Sequence, residues 1–198
     1  MTSTDMARML GSALLLALAT TACARDTTMD HTDRHDALLE AATAAGTHGE
    51  DIEILPNTRL DQAGCHFHTA LAKDRFDAPE RALATLPDGT VVAAGDEAGL
   101  ARLLSTCGAD APADWWADVV ARFADAVEGK AVHARNAADI EAIAALGGRY
   151  APPSLERTGA GAVLRFVAIA YEPTRAAEVV ARLQGDAVIE VTATPVGR

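Results

Sequence analysis

Residues Ala162–Thr194, AVLRFVAIAYEPTRAAEVVARLQGDAVIEVTAT, decide the fold. Ala162 to Tyr171 is rich in Val, Ile, Phe and Tyr, with Arg165 as its one charge, and reads as a strand. Pro173 ends it and Thr174 can cap a helix. Ala176, Val179, Val180 and Leu183 then fall at i, i+3, i+4 and i+7, an apolar helical stripe, with Gly185 at the C-terminal cap position. From Ala187 to Thr194 the pattern alternates, with Ala187, Ile189, Val191 and Ala193 on one face. The stretch therefore predicts strand, helix, strand. Its first strand, apolar on both faces, belongs mid-sheet, and its half-polar last strand belongs nearer an edge.

Working upstream, Pro152-Pro153 and Gly159 to Gly161 read as a surface loop. Asn136 and Asp139 start a helix that Gly147-Gly148 ends, and Ala131 to Ala134 is a short strand. Asp114 is placed to cap a helix carrying Trp116, Val120, Phe123 and Val127 on one side, closed by Gly129. Trp115 and Trp116 cannot face one way on a helix, so one must cover a neighbouring element or a groove rim. Asp96 caps a helix with Leu100, Leu103, Leu104 and Cys107 on its stripe. Arg81 to Leu86 and Thr90 to Ala94 flank Pro87-Asp88-Gly89 as a hairpin. Cys65 to Leu71 and Asp51 to Leu55 are further strands. The fold class is α+β, a mixed or antiparallel sheet packed with helices, ending in the strand–helix–strand unit.

At 198 residues, 49% hydrophobic and only 4% aromatic, the chain builds its core from Ala, Val, Leu and Ile. Its net charge of −11 repels phosphate backbones and so disfavours nucleic acid. Arg8, the apolar run Leu10 to Ala19 and the small residues before Cys23 have the layout of a secretory signal peptide. The run is far short of the ~20 residues of a spanning helix. The approach to Cys23 resembles the lipobox of bacterial lipoproteins, with Thr20 where that family prefers Leu. The resemblance implies that Cys23 becomes the acylated first residue of a chain anchored to a membrane in the cell envelope. Ala24 after it resembles the periplasmic, outer-membrane-destined type of Gram-negative bacteria. Ordinary cleavage at Ala22-Cys23-Ala24 is the alternative. The organisation is a signal peptide (1–22), a lipid-anchored tether (23–49) with a short helix over Ala37 to Ala45, and an α+β domain (50–198). A second reading divides that domain near 108–113, at Pro112.

Export leaves Cys65 and Cys107, which pair most simply as one disulfide; a redox pair is the alternative. In Gly64-Cys65-His66-Phe67-His68, strand alternation turns His66 and His68 to one face and Cys65 and Phe67 to the other. Two imidazoles on one face suit Cu or Zn, and His133, Asp61, His31 and His35 are candidates for further ligands. The simpler alternative is two surface histidines on an edge strand. From Cys65 to Cys107, with Cys23, Asp88-Gly89 and Leu100 to Leu104, the chain is similar to the copper-binding lipoproteins that assist nitrous-oxide reductase, which implies metal handling. No Gly-x-Ser-x-Gly elbow, Walker loop or His-Glu-x-x-His occurs, so no catalytic residue is assigned. The expectation is a non-enzymatic envelope module, without a cofactor, binding an unknown protein or small-molecule partner. A Cu- or Zn-binding lipoprotein is the runner-up, and a hydrolase is third.

Overall fold

The computed structural model describes residues 31–49, 51–74, 80–124, 132–159, 161–171, 173–184 and 187–197. The signal segment, Cys23, Val127, Gly129, Ala131 and Gly185 lie outside the described residues. The fold is α+β, with two antiparallel sheets.

The first sheet has the order β1 (Ile52–Pro56), β2 (His66–Ala72), β3 (Arg81–Thr85), β4 (Val91–Ala93). Its β3–β4 turn is the expected Pro87-Asp88-Gly89. Leu86 N–H bonds Thr90 O at 2.8 Å, Asp88 Oδ1 accepts from Thr90 N–H at 3.0 Å, and Gly89 takes φ +85°. That is the left-handed position a three-residue hairpin loop reserves for glycine. A tighter turn precedes β2. Gln62 and Cys65 exchange both backbone hydrogen bonds across Ala63 and Gly64, which stand at φ +51° and +77°. Two successive positive φ values mark a type I′ turn.

Two helices cover the inner face of this sheet. In α2 (Glu97–Cys107), Asp96 Oδ1 accepts from Gly99 N–H at 2.9 Å, as its cap position requires. Helix α3 (Ala113–Phe123) starts two residues earlier than the sequence suggested. Pro112 is its N-cap, and Asp114 sits inside the first turn instead of capping it. Nearly every α3 side chain is buried, including both tryptophans, because the helix lies between the two sheets. Such a position favours apolar side chains around most of the circumference.

The second sheet has the order β5 (Val132–His133), β7 (Gly161–Tyr171), β8 (Thr174–Gln184), β9 (Ala187–Pro195), with β6 (Ser154–Thr158) beside the first half of β7. Here the strand–helix–strand expectation fails. Thr174–Gln184 is a strand, paired with β7 from Tyr171↔Thr174 to Gly161↔Gln184. Ala177, Val179, Ala181 and Leu183 are buried while Glu178, Arg182 and Gln184 are exposed, a period of two. The same letters also satisfy a helical period. The eleven-residue ladder with β7 decides between them, and the paired β-branched Val179 and Val180 favour the pleat. Pro173 therefore sits in a tight loop rather than before a cap. Strand β6 was expected as loop; its polar residues give it no period of its own. The mid-sheet place of β7 and the edge place of β9 are as expected. A register shift at Arg182/Leu183 sets Val188 opposite Leu183 and brings it to the core beside Val191 and Ala193.

Helix α4 (Ala137–Ala145) has the expected Asn136/Asp139 capping box and packs Ile143 on the outer face of the second sheet, with Val167 and Ile169. Helix α1 (His31–Ala44) is longer than the short helix expected in the tether. It packs Leu38 and Ala42 on the outer face of the first sheet, against Ala70 and Leu83. The layers thus run α1, first sheet, α2 with α3, second sheet, α4. The main core joins Phe67 and Val92 to Leu164 and Val179 through α2 and α3, so residues on both sides of 108–113 share it. Segment 108–113 is itself pinned. Gly108 O accepts from Trp116 Nε1 at 2.9 Å and Arg157 Nη2 at 3.1 Å, and Ala111 O accepts from Arg157 at 3.1 Å.

Candidate functional site

The type I′ turn aims Cys65 inward and starts the alternation of β2. Cys65 and Phe67 are each 1% exposed, and His66 and His68 occupy the other face, as the strand period requires. Cys65 is joined to Cys107 at the end of α2, with a Cα–Cα distance of 6.2 Å. Gln62 Nε2 donates to Cys107 O at 3.1 Å, so the turn holds the helix end as well as the sulfur. Phe67 meets Trp115 and Phe123 edge-on, and Trp115 Nε1 donates to Leu60 O at 2.9 Å. Each tryptophan covers a neighbouring element: Trp115 the entrance to β2, Trp116 the segment after α2.

On the opposite face His66 is exposed, and its Nδ1 lies 3.2 Å from Asp61 Oδ2. The other oxygen of Asp61 accepts from Phe67 N–H at 2.9 Å, which fixes the carboxylate. His68 is half-buried, and its Nε2 has no hydrogen-bond partner among the described residues. Burial pushes the His68 pKa below its ordinary value; Asp61 opposes this, while His66 and Arg34 of α1 add to it. The strand thus brings together Asp61, His66 and His68. Among the described residues no group of three or more His, Cys, Asp or Glu side chains is arranged to hold a metal ion.

His133 does not join them. It is on β5, in the other sheet, where it centres a polar cluster that the sequence reading missed. Its ring is 1% exposed and stands edge-on to Phe166. Nε2 lies 3.6 Å from Asp114 Oδ1 and Nδ1 lies 3.6 Å from Asp118 Oδ1, both beyond hydrogen-bond length. Asp114 and Asp118 are one turn apart on α3, so they meet the two ring nitrogens from one helix face. Asp118 Oδ2 accepts from Arg135 Nη1 at 2.7 Å. Burial acts to raise the Asp118 pKa, but His133, Arg135 and Arg122 outweigh it and the net shift is downward. Near by, Asp139 accepts from Arg135 N–H and Asn136 N–H, and from the hydroxyl of Tyr171. The clue in the sequence was Asp114, Asp118 and Arg122 at i, i+4, i+8 on an otherwise apolar helix. The cluster links α3 to the β5 segment through the Asp118–Arg135 ion pair and the two aspartates beside the His133 ring.

No family model, no curated protein and no solved structure matches this chain.

Proposed function

We propose that this protein is an exported, lipid-anchored component of the cell envelope, and that its α+β domain binds a partner or small ligand without catalysing a reaction. The observation that carries the reading is the Cys65–Cys107 bridge. Both residues are buried at 1% exposure and the bridge ties the first sheet to α2. A disulfide in that place belongs to an oxidising compartment, in agreement with the signal-like segment before Cys23. The charge of −11 fits a partner other than nucleic acid. Mass spectrometry of the mature amino terminus tests the reading. A diacylglyceryl group on Cys23 is expected, and an unmodified chain beginning at Arg25 would refute the anchor.

A second reading, Cu or Zn binding, draws on Asp61 beside His66 and on the unpartnered Nε2 of His68. Replacing His66 and His68 together by Ala should then weaken Zn or Cu binding at least tenfold, about 1.4 kcal/mol. Equal binding by the wild type and the double variant removes this reading and leaves the first untouched.

A further inference from the structure

The docking of α1 shortens the tether. If residues 24–49 were all extended chain, they would let the domain stand up to about 90 Å from Cys23, at ~3.5 Å per residue. The chain is instead helical from His31, and α1 is held on the first sheet by Leu38 and Ala42, which are 4% and 0% exposed. Seven residues, 24–30, then separate Cys23 from the docked helix, a reach of at most about 25 Å even when fully extended. Just past the helix, Gly46 lies beside Arg81 at the start of β3 and Gly49 beside Ala72 at the end of β2, so α1 runs back across the sheet toward the start of β2 and its first turn, with Arg34, lies at the histidine end of that strand.

We infer that the surface formed by the first turn of α1 and the His66/His68 face of β2 lies against the headgroup layer of the bilayer that holds Cys23. This rests on the lipid anchor proposed above. The outer face of the second sheet, with Glu178, is then turned away from the membrane. It lies on the far side of the helix layer, roughly 20 Å further at about 10 Å per layer. A partner binding there would meet the domain from the aqueous side.

The test uses the full-length acylated protein in vesicles of phosphatidylethanolamine and phosphatidylglycerol with a headgroup-linked acceptor dye. A donor dye is attached through a clickable side chain, His66→azidophenylalanine in one protein and Glu178→azidophenylalanine in a second, which leaves the disulfide alone. Energy transfer should be higher from position 66 than from 178. It should fall at 66 when a long Gly-Ser segment is inserted between Ala24 and His31, a change that does not touch the folded domain. Leu38→Asp with Ala42→Asp, which undocks α1, should lower it in the same way. Mass spectrometry of the same sample reports the anchor separately. An unacylated Cys23 overturns the anchor and this inference together. An acylated chain with equal transfer from 66 and 178, or with transfer at 66 indifferent to the inserted segment, overturns the inference alone.

Discussion

Removing the Cys65–Cys107 bridge should lower the stability of this domain by about 4 kcal/mol in the chain-entropy relation, given a sequence separation of 42. The bridge restrains the unfolded chain, and the folded chain has little means of making up the loss. Phe67, Leu100 and Leu104 share one core with the two cysteines, and a hydrogen bond from Gln62 also links the β2 turn to the end of α2. For a domain of ~150 residues, where 1 kcal/mol moves Tm by roughly 2–4 °C, the expected fall is about 8–16 °C. The measurement compares thermal unfolding of the mature domain with and without reductant, alongside Cys65→Ala/Cys107→Ala. Trp115 supplies a local signal, since it touches Phe67 and bonds Leu60 O. Near-ultraviolet dichroism of the variant at low temperature should keep the native form. Two titratable thiols in the unreduced, denatured mature domain, or a Tm change under about 3 °C, would sink the argument.

Three further outcomes follow from the same geometry. Ala63→Gly should stabilise the domain by about 0.5–1 kcal/mol, the relief of a left-handed alanine less the greater freedom of glycine in the unfolded chain; a denaturant midpoint that falls would contradict the type I′ turn. Asp118→Ala leaves Arg135 and His133 facing a lost charge and should cost about 3 kcal/mol, read by chemical unfolding. Because the Asp118 pKa is lowered in the fold, its stabilisation is present above its unfolded value and is lost as pH falls through the folded one, so acid should unfold the wild type and the variant more nearly alike. His68 works in the same pH direction at a milder pH. Its folded pKa is lowered, so the unfolded chain binds more protons below ~6.5 and stability declines as pH falls through that region; His68→Gln should flatten the decline, and an unchanged slope counts against it.

Signals carried within a few residues were legible. Pro87-Asp88-Gly89, the Asp96 cap and the Asn136/Asp139 box each satisfy their own backbone groups locally, and each stands where the sequence put it. Cys65 and Phe67 separated from His66 and His68 for the same reason, since a strand period needs no partner to be read. Strand β6 was illegible because its residues have no period and are held by pairing with β7. Helix α1 looked like tether because its polar residues are many, while the apolar residues that seat it on the sheet include few large side chains: Leu38, Ala42 and the partly buried Ala41 among those described.

The misreading of Thr174–Gln184 and the missed His133 cluster share one cause. Ala176, Val179, Val180 and Leu183 make a helical stripe, and Ala177, Val179, Ala181 and Leu183 make a strand face, from one set of letters. Helix formation is cooperative within a segment but weak for eleven residues alone. A ladder along the whole of β7 satisfies the same backbone groups and buries Val179, Ala181 and Leu183 in the core shared with α2 and α3. The partner, not the segment, decides. His133 follows the same logic: alone on a two-residue strand it is unremarkable, and it gains meaning only when α3 presents Asp114 and Asp118 to its two nitrogens. Because α3 is packed between both sheets, a disturbance at His133 reaches the shared core directly. The histidines of β2 lie on the far side of the first sheet from α3 and outside that shared core, so a change at them does not reach it by the same route.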